Sequence, residues 1–303
     1  MRHFLDLKDF DKSQLQAMLD YGLDMRAKLK AGKAHDKPLE GKQFGMIFEK
    51  PSTRTRVSFE VGIHQLGGTP IVLSANDMQL DRGETVADTA RVLSGYLDGI
   101  MIRCLKHDTL MELAKYAKLP VINGLTNRSH PCQVMADMMT TRDYHGKIEG
   151  QIVTWAGDGN NVAVSWVEAA AIMGFELRLA CPHGYEPPAD LIAWARSQGA
   201  QISLHQDLKT AAEGADVLVT DVWISMGDET GTRLQDLGPF QINEEIMRLA
   251  APDAIFMHCL PAIREQEVTG AVIDGNQSAV WQEAENRLHA QKAIMAYCAG
   301  QIC

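Results

Sequence analysis

Apolar and polar positions along this chain follow two patterns. Some segments are short apolar runs, and others are longer stretches whose apolar residues fall on one face of a helix. Residues 44–48 form one such run, which has the length of a buried strand. In the stretch that follows, the helical spacing i, i+3, i+4, i+7 is occupied by Phe59, Gly62, Ile63 and Leu66. A strand followed by an amphipathic helix is therefore predicted for residues 43–66.

The same alternation recurs in two series. Strands of the first series are predicted at 43–49, 70–74, 99–103 and 119–122, with helices at 53–66, 85–96 and 108–117. Residues 1 to about 40 are predicted to be helical, and a long helix is expected from 130 to 144. Strands of the second series are predicted at 152–155, 176–180, 201–204, 217–220 and 255–257. Strands and helices in alternation favour right-handed βαβ units on parallel sheets.

The predicted fold class is α/β, with two domains that each hold a mostly parallel sheet flanked by helices, and a cleft between them. A chain of 303 residues is too long for one compact core. The expected first domain is 1–135, with a C-terminal helix at about 284–303 packing back on it. A helix and turn at 136–149 lead to the second domain, 150–283. Ligands of such sheets bind beyond the carboxyl ends of the strands.

Composition narrows the function. The net charge of −10 argues against a nucleic-acid partner. No apolar stretch is long enough to span a membrane, and the charged N-terminus lacks the apolar core of a signal peptide, so a cytoplasmic location is expected. The six cysteines have neither CxxC pairing nor zinc spacing, which predicts free thiols.

The strongest candidate for chemistry opens the helix after the first strand: Ser52, Thr53, Arg54, Thr55 and Arg56. The N–H groups and the positive dipole end of a helix start favour an anion. Arginine grips phosphate bidentately. The motif predicts a phosphate cradle, and the alternative is an ordinary helix start with solvated arginines.

Other candidates of the first series follow later strands. Arg103 ends an apolar run, where a surface ion pair is an equal alternative. His130 and Gln133 lie one helical turn apart at a helix start, suited to polarise a carbonyl and to bind an amide. A structural role is as plausible for both from sequence alone.

In the second series, Gly157 and Gly159 form a G-x-G, but Val162 stands where a dinucleotide fingerprint needs its third glycine. Nicotinamide binding is therefore not predicted. Asn161 can aim its amide at a substrate carboxylate from a helix start.

Asp221 and Ser225 follow a predicted strand and combine groups suited to the amine and the carboxylate of an amino acid. A mobile surface loop is the alternative. Cys259, after a strand end, is either a functional thiol or a small buried filler.

Taken together, the motifs resemble the aspartate/ornithine carbamoyltransferase family. The matching stretches are 49–56, 130–133, 221–227, 258–261 and 285–287, in the same order and over essentially the whole chain. The loop at 225–227 and the H-C-L-P element at 258–261 resemble the members that act on ornithine. Ile263 departs from the histidine of many relatives, and residues 127–129 differ from the commoner acidic or apolar versions.

The resemblance implies a set of site residues. Carbamoyl phosphate would be held by Ser52, Thr53, Arg54, Thr55, Gln79, Arg103, His130, Pro131, Cys132, Gln133, Cys259, Leu260 and Arg287. Catalysis would rest on Arg54, Arg103, His130 and Cys259. Ornithine would be received by Asn161, Asp221, Ser225 and Met226.

The implied reaction is carbamoyl transfer from carbamoyl phosphate to the δ-amine of L-ornithine, giving L-citrulline and phosphate, with arginine biosynthesis as the expected setting. The alternatives are another acceptor, such as putrescine, N-acetylornithine or aspartate, or the direction of arginine breakdown. A non-catalytic protein that binds a phosphorylated metabolite is the rival from another class. No metal or organic cofactor is expected. A homotrimer or a multiple of it is implied, with Gln79 presented to a neighbouring subunit's site.

Overall fold

A computed structural model of the chain describes residues 2–34, 36–74, 83–224 and 231–302. The chain divides into two compact units. Unit 1 consists of Met1–Met135 and Arg287–Cys303, and unit 2 is the contiguous segment Ala136–Asn286. Within the described residues, no helix is both long enough and apolar enough to cross a membrane.

Unit 1 is built on a parallel sheet with the strand order β2-β1-β3-β4. Its strands are β1 (Gln43–Phe48), β2 (Thr69–Ser74), β3 (Gly99–Arg103) and β4 (Val121–Leu125). Its helices are α1 (Lys12–Lys30), α2 (Thr53–Gln65), α3 (Val86–Leu93) and α4 (His107–Tyr116). Helix α5 (Pro131–His145) carries the chain across the boundary into unit 2.

Unit 2 holds a second parallel sheet, with the order β7-β6-β5-β8-β9. Its strands are β5 (Ile152–Ala156), β6 (Glu176–Ala180), β7 (Ile202–His205), β8 (Val217–Thr220) and β9 (Ile255–His258). Its helices are α6 (Asn161–Met173), α7 (Ala189–Ser197), α8 (Leu208–Ala212), α9 (Arg233–Leu237), α10 (Glu244–Leu249) and α11 (Gly270–Ile273). Helix α12 (Val280–Cys298) begins in unit 2 and ends in unit 1.

The central strands are buried on both faces, which explains their continuous apolar sequences. In unit 1, Met46 of β1 lies opposite Val72 of β2 and Met101 of β3. In unit 2, strands β8 and β9 are buried at every position. Stacking apolar faces on each sheet gives each unit a core of its own.

The predicted α/β class with two parallel-sheet domains is confirmed. The predicted bounds differ clearly from the observed ones for a strand and for the first helix, and the helix predicted at 85–96 ends earlier, at Leu93. The predicted strand 119–122 lies at Val121–Leu125, because the buried Asn123 side chain bonds to the Leu5 carbonyl, so a polar residue does not end the strand.

The expected helix through residues 1–40 is limited to Lys12–Lys30. Asp11 caps its start by accepting from the Gln14 N–H, and Gly32, at φ 64°, follows its end. Upstream, Phe4 bonds to β4 instead: its N–H donates to Val121 O at 2.9 Å, and its carbonyl accepts from Asn123 N at 2.8 Å. The first residues therefore extend the sheet rather than the helix.

Candidate active site

The predicted anion motif lies at the start of α2. Ser52 is the N-cap residue and has an extended backbone. Among the residues that the structure describes, its side chain makes no capping hydrogen bond to the start of α2. Thr53 and Arg54 are exposed, while Thr55 is buried. The N–H groups of a first helical turn lack acceptors within the helix, so this end is suited to bind an anion.

Thr55 is the point on which two arginines converge. Its Oγ1 accepts from Arg103 Nη1 at 3.3 Å and from Arg287 Nη2 at 2.8 Å. Arg287 also donates through Nη1 to Gln133 Oε1 at 2.9 Å. Strand β3, the start of α5 and helix α12 thus place their polar side chains beside the first turn of α2. Two guanidiniums at one hydroxyl concentrate positive charge there, in a chain that is acidic overall.

His130 lies close to the same charges. It is buried, and desolvation together with the positive charges of Arg287 and Arg103 holds its pKa well below 6.5. The imidazole is therefore neutral at pH 7, and a neutral imidazole both donates and accepts hydrogen bonds.

The two residues after His130 anchor helix α5. Pro131 is its first residue, a position where the missing N–H of proline costs no helical hydrogen bond. The thiol of Cys132 donates to the Asn123 carbonyl at 3.2 Å, and burial raises its pKa to about 12. Cys132 therefore fixes the helix start to strand β4 as a protonated thiol.

In unit 2, Asp221 follows the last residue of β8 and gathers three donors. Its Oδ2 accepts from Asn160 Nδ2 at 2.8 Å, and its Oδ1 accepts from Val222 N at 2.8 Å and from Cys259 Sγ at 3.0 Å. The ends of β8 and β9 and the start of α6 meet at this carboxylate. Its position and orientation are therefore set by three segments of the chain.

Cys259 is a protonated thiol. Burial, and next the negative charge of Asp221, raises its pKa well above 9. Since the thiolate is the nucleophilic form, this environment disfavours covalent catalysis and favours hydrogen bonding. The next residue, Leu260, has a backbone φ of 58°, which is uncommon for a residue other than glycine. Its N–H donates to His258 Nδ1 at 2.9 Å.

The predictions for the second series missed Asn160. It is the N-cap of α6: its Oδ1 accepts from Val162 N at 2.9 Å and Ala163 N at 3.3 Å, while its amide holds Asp221. The available signal was its place directly before an apolar helical stretch, where Asn is a preferred cap. Asn161, singled out from the sequence, is the first residue of α6 and is half-buried.

The predicted residues thus gather within each unit. Unit 1 brings together Thr55, Arg103, His130, Gln133 and Arg287. Unit 2 brings together Asp221, Cys259 and Leu260. That Cys259 and Leu260 bind the same ligand as the residues of unit 1 stays a prediction. Three predicted residues, Gln79, Ser225 and Met226, lie outside the described residues.

One group in the described part of the chain has the spacing of a metal-ligand set. The ligand atoms of Asp221, His258 and Cys259 lie within 4.8 Å of one another. Both ring nitrogens of His258 are engaged, however: Nε2 lies 3.1 Å from Glu267 Oε1, and Nδ1 accepts from Leu260 N. Cys259 also donates to Asp221, so an ion bound by these three side chains would have to displace the hydrogen bonds that they already make.

Comparison with known proteins covers both units. The family profile described as the aspartate/ornithine carbamoyltransferase carbamoyl-P binding domain matches residues 2–143, and the profile of the Asp/Orn binding domain matches residues 149–298. An ornithine carbamoyltransferase of Rhodopseudomonas palustris strain BisA53 is 56% identical over 306 residues, covering 99% of this chain and 98% of the relative. One from Nitrobacter winogradskyi is 57% identical over 300 residues, covering 99% and 97%.

Among solved structures, the ornithine carbamoyltransferase from Pyrococcus furiosus superposes with a TM-score of 0.95. It shares 49% identity, over 100% of this chain and 98% of that one. The anabolic ornithine carbamoyltransferase from Campylobacter jejuni superposes with a TM-score of 0.93 at 40% identity, over 99% of this chain and 100% of that one.

Proposed function

The chain belongs to the aspartate/ornithine carbamoyltransferase family, and from that premise we propose that it transfers the carbamoyl group of carbamoyl phosphate to the δ-amine of L-ornithine, giving L-citrulline and phosphate. The observation that carries the proposal is the convergence of Arg103 and Arg287 on Thr55, beside the start of α2. Two guanidiniums beside the N–H groups of a helix start suit an anion with several oxygens, which supports the proposal. The names of the most similar relatives supply the acceptor.

The phosphate is bound by the first turn of α2. Ser52, Thr53, Arg54 and Thr55 supply hydroxyl and N–H donors and one guanidinium, and Arg103 adds a second positive charge. As the C–O bond to the carbamoyl carbon breaks, negative charge builds on the leaving phosphate. Donors already in place stabilise that charge without reorganisation.

The carbamoyl group is oriented by the first turn of α5 together with Arg287. Because Arg287 occupies Gln133 Oε1, the amide of Gln133 presents Nε2 as a donor. His130, being neutral, polarises the carbamoyl carbonyl as a hydrogen-bond donor, which costs less repulsion beside two arginines than an imidazolium would. The oxyanion of the tetrahedral intermediate is stabilised by these donors and by Arg54.

The nucleophile is the neutral δ-amine of ornithine. In free ornithine at pH 7 this amine is protonated, so it releases one proton to solvent before it attacks. Asp221, held by Asn160 and Cys259, binds the α-ammonium group of ornithine, and Cys259 orients the δ-amine as a protonated thiol rather than forming a covalent bond. The leaving phosphate accepts the proton lost by the amine. Asn161, Ser225 and Met226 are assigned to the rest of ornithine.

For the setting, we propose arginine biosynthesis in the cytoplasm and a homotrimer or a multiple of it. Gln79 would then complete the site of a neighbouring subunit. Mixing chains that carry Arg54→Ala with chains that carry Gln79→Ala tests this directly. Recovery of activity after mixed refolding would support shared sites, and no recovery would exclude them.

The first experiment is citrulline formation by the purified protein from carbamoyl phosphate, with ornithine, putrescine, N-acetylornithine and aspartate tested separately. Turnover with ornithine alone supports the proposal. Turnover with a different amine would leave the phosphate site standing and remove the acceptor assignment. Binding of a phosphate analogue without any turnover would favour a binding protein.

A further inference from the structure

We propose that Asp6 and Ser129 are positioning residues for His130, so that the N-terminal segment of the chain sets the rate of carbamoyl transfer. This inference rests on the proposed function for its kinetic part. Its structural part, the placement of the His130 ring, rests on the observed hydrogen bonds, and the ¹³C signal of His130 tests it without any turnover.

The turn that carries His130 is closed by its own residues. Thr126 N donates to Ser129 O at 3.0 Å, and Ser129 N approaches Thr126 Oγ1 at 3.3 Å. The His130 carbonyl then accepts from Gln133 N at 3.1 Å, which begins α5. Any displacement of Ser129 therefore moves both His130 and the helical turn that carries Gln133.

Ser129 is held from outside the turn by the N-terminal segment. Its side chain is fully buried, and its Oγ donates to Asp6 Oδ1 at 2.5 Å. The same oxygen accepts from Asn123 Nδ2 at 3.0 Å, and that amide also donates to the Leu5 carbonyl at 2.8 Å. Asp6 thus binds the turn directly, and Asn123 of β4, whose amide also bonds to Leu5, binds it as well.

Asp6 is itself fixed, which makes it a rigid support. It is 3% exposed, and its Oδ2 lies 3.5 Å from His107 Nε2. The other ring nitrogen of His107 lies 3.1 Å from Thr126 Oγ1, which returns the network to the turn. A second contact of Asp6 Oδ2, with Lys8 Nζ, is at 3.9 Å. The loop of contacts is closed, so a change at either Asp6 or Ser129 releases the same element.

Neither Asp6 nor Ser129 was predicted for the substrate pocket. The Asp6 carboxylate binds the turn at Ser129, and no observed contact joins it to the start of α2 in the described part of the chain. Their effect on the reaction is therefore indirect. We expect an effect on the step that needs His130 in place, which is carbonyl polarisation in the transition state, and little effect on phosphate binding by α2. In kinetic terms, kcat falls while KM for carbamoyl phosphate changes little.

The test compares Ser129→Ala, Asp6→Asn, their double variant and Ser94→Ala. Ser94 is the matched control: its Oγ donates to Ala90 O at 2.6 Å and accepts from Lys118 N at 2.8 Å, in the same unit and away from the motifs. We expect kcat to fall on the order of tenfold in Ser129→Ala and Asp6→Asn. The double variant should lose no more than either single variant, because both break one element. Ser94→Ala should keep the wild-type kcat.

A second measurement does not depend on turnover. In protein labelled with ¹³C at histidine Cε1, the His130 signal should shift in Ser129→Ala and in Asp6→Asn, and should stay in place in Ser94→Ala. An unchanged His130 signal, or additive losses of kcat, would overturn the proposal. If wild-type protein makes no citrulline, the proposed function fails, and the His130 signal still decides whether Asp6 and Ser129 position the ring.

Discussion

At the scale of single residues, Arg287 joins two parts of the site that the chain makes far apart. Its guanidinium binds Thr55 and Gln133, and only 4% of the residue is exposed. In Arg287→Met both partners lose a charged donor. We expect KM for carbamoyl phosphate to rise at least about tenfold, and the free energy of unfolding to fall by about 1–3 kcal/mol. Steady-state kinetics and urea titration measure the two effects.

The matched control is Arg91→Met, in the same unit. Arg91 pairs with Asp88 at 2.7 Å, but both side chains are more than half exposed. An exposed pair contributes little, so the change should cost less than about 1 kcal/mol and leave KM unaltered. Equal effects of the two substitutions on KM and on stability would show that the contacts of Arg287 with Thr55 and Gln133 contribute no more than an exposed ion pair.

His130 predicts a pH dependence of stability. Its pKa in the folded chain is held well below the 6.5 of the unfolded chain by burial and by Arg287 and Arg103. Below pH 6.5 the unfolded chain therefore binds a proton that the folded chain does not, and stability falls as the pH falls. Burial lowers the pKa values of His3 and His107 in the same direction.

The His130→Gln substitution removes one of these three titrating histidines. Between pH 6.5 and 5.5 the free energy of unfolding should fall less steeply than in the wild type, by up to about 1.4 kcal/mol per pH unit. Above pH 7.5 the two curves should run parallel. Urea titrations at a series of pH values provide the comparison, and identical slopes in acid would contradict a depressed pKa for His130.

Residue types in motifs were enough to find Thr55, Arg103, His130 and Asp221 as candidates. Their partners were harder to find. The bond from Arg287 to Thr55 joins helices α12 and α2, and nothing in the local periodicity of either reports it. Helical and strand patterns describe which face is buried, not which polar atom is met there.

At the scale of elements, the start of α6 has two functions in one residue. Asn160 caps the helix and holds Asp221. Asn160→Ala should cost about 1 kcal/mol of stability through the lost cap. It should also raise KM for ornithine several-fold, because the carboxylate loses a donor that orients it.

Helix α10 offers a control with the same capping geometry. Asn243 Oδ1 accepts from Glu245 N at 3.0 Å and from Ile246 N at 3.1 Å. Asn243→Ala should lower the unfolding free energy by a similar amount and leave KM for ornithine unchanged. A rise of KM in both variants would mean that loss of stability, rather than loss of the Asp221 contact, weakens ornithine binding.

Elements were predicted well where burial alone decides them, as for β1, β3 and β8, whose apolar runs coincide with the strands. Strand β4 was misplaced because Asn123 and Gly124 break its apolar run. Their roles come from tertiary contacts: the side chain of Asn123 binds Leu5 and Ser129, and a Cβ on Gly124 would lie 2.5 Å from Met101 Sδ. Such positions obey the packing of the sheet rather than strand propensity.

At the scale of the whole molecule, the residues from Arg287 onward belong to unit 1 and not to unit 2. Unit 2 is contiguous, whereas unit 1 includes the segment from Arg287 onward. That segment fills unit 1: Lys292 Nζ binds Gln65 Oε1 at 2.9 Å, and the Tyr297 ring packs edge-on against Phe10. Lys292 is fully buried, and desolvation lowers its pKa to about 8.

A chain ending at Asn286 should therefore lose protection in one unit only. In hydrogen–deuterium exchange, the amides of β1–β4 should exchange much faster than in the full chain, because a buried helix face is missing. The amides of β5–β9 should stay slow, since unit 2 retains its own core. Equal acceleration in both sheets would contradict the division into two units.

The discontinuity of unit 1 also bears on how the protein is made. Synthesis proceeds from the N-terminus, and domains generally fold as they emerge. Unit 1 is the exception here: its first 135 residues are translated before unit 2, whereas the residues from Arg287 onward that complete it are translated after unit 2. Because Arg287 is translated only after unit 2, its bond to Thr55 cannot form until unit 2 has been made. The apolar surface of residues 1–135 that the residues after Arg287 cover therefore stays exposed while unit 2 is synthesised, and we expect aggregation of the nascent chain to be favoured in that interval.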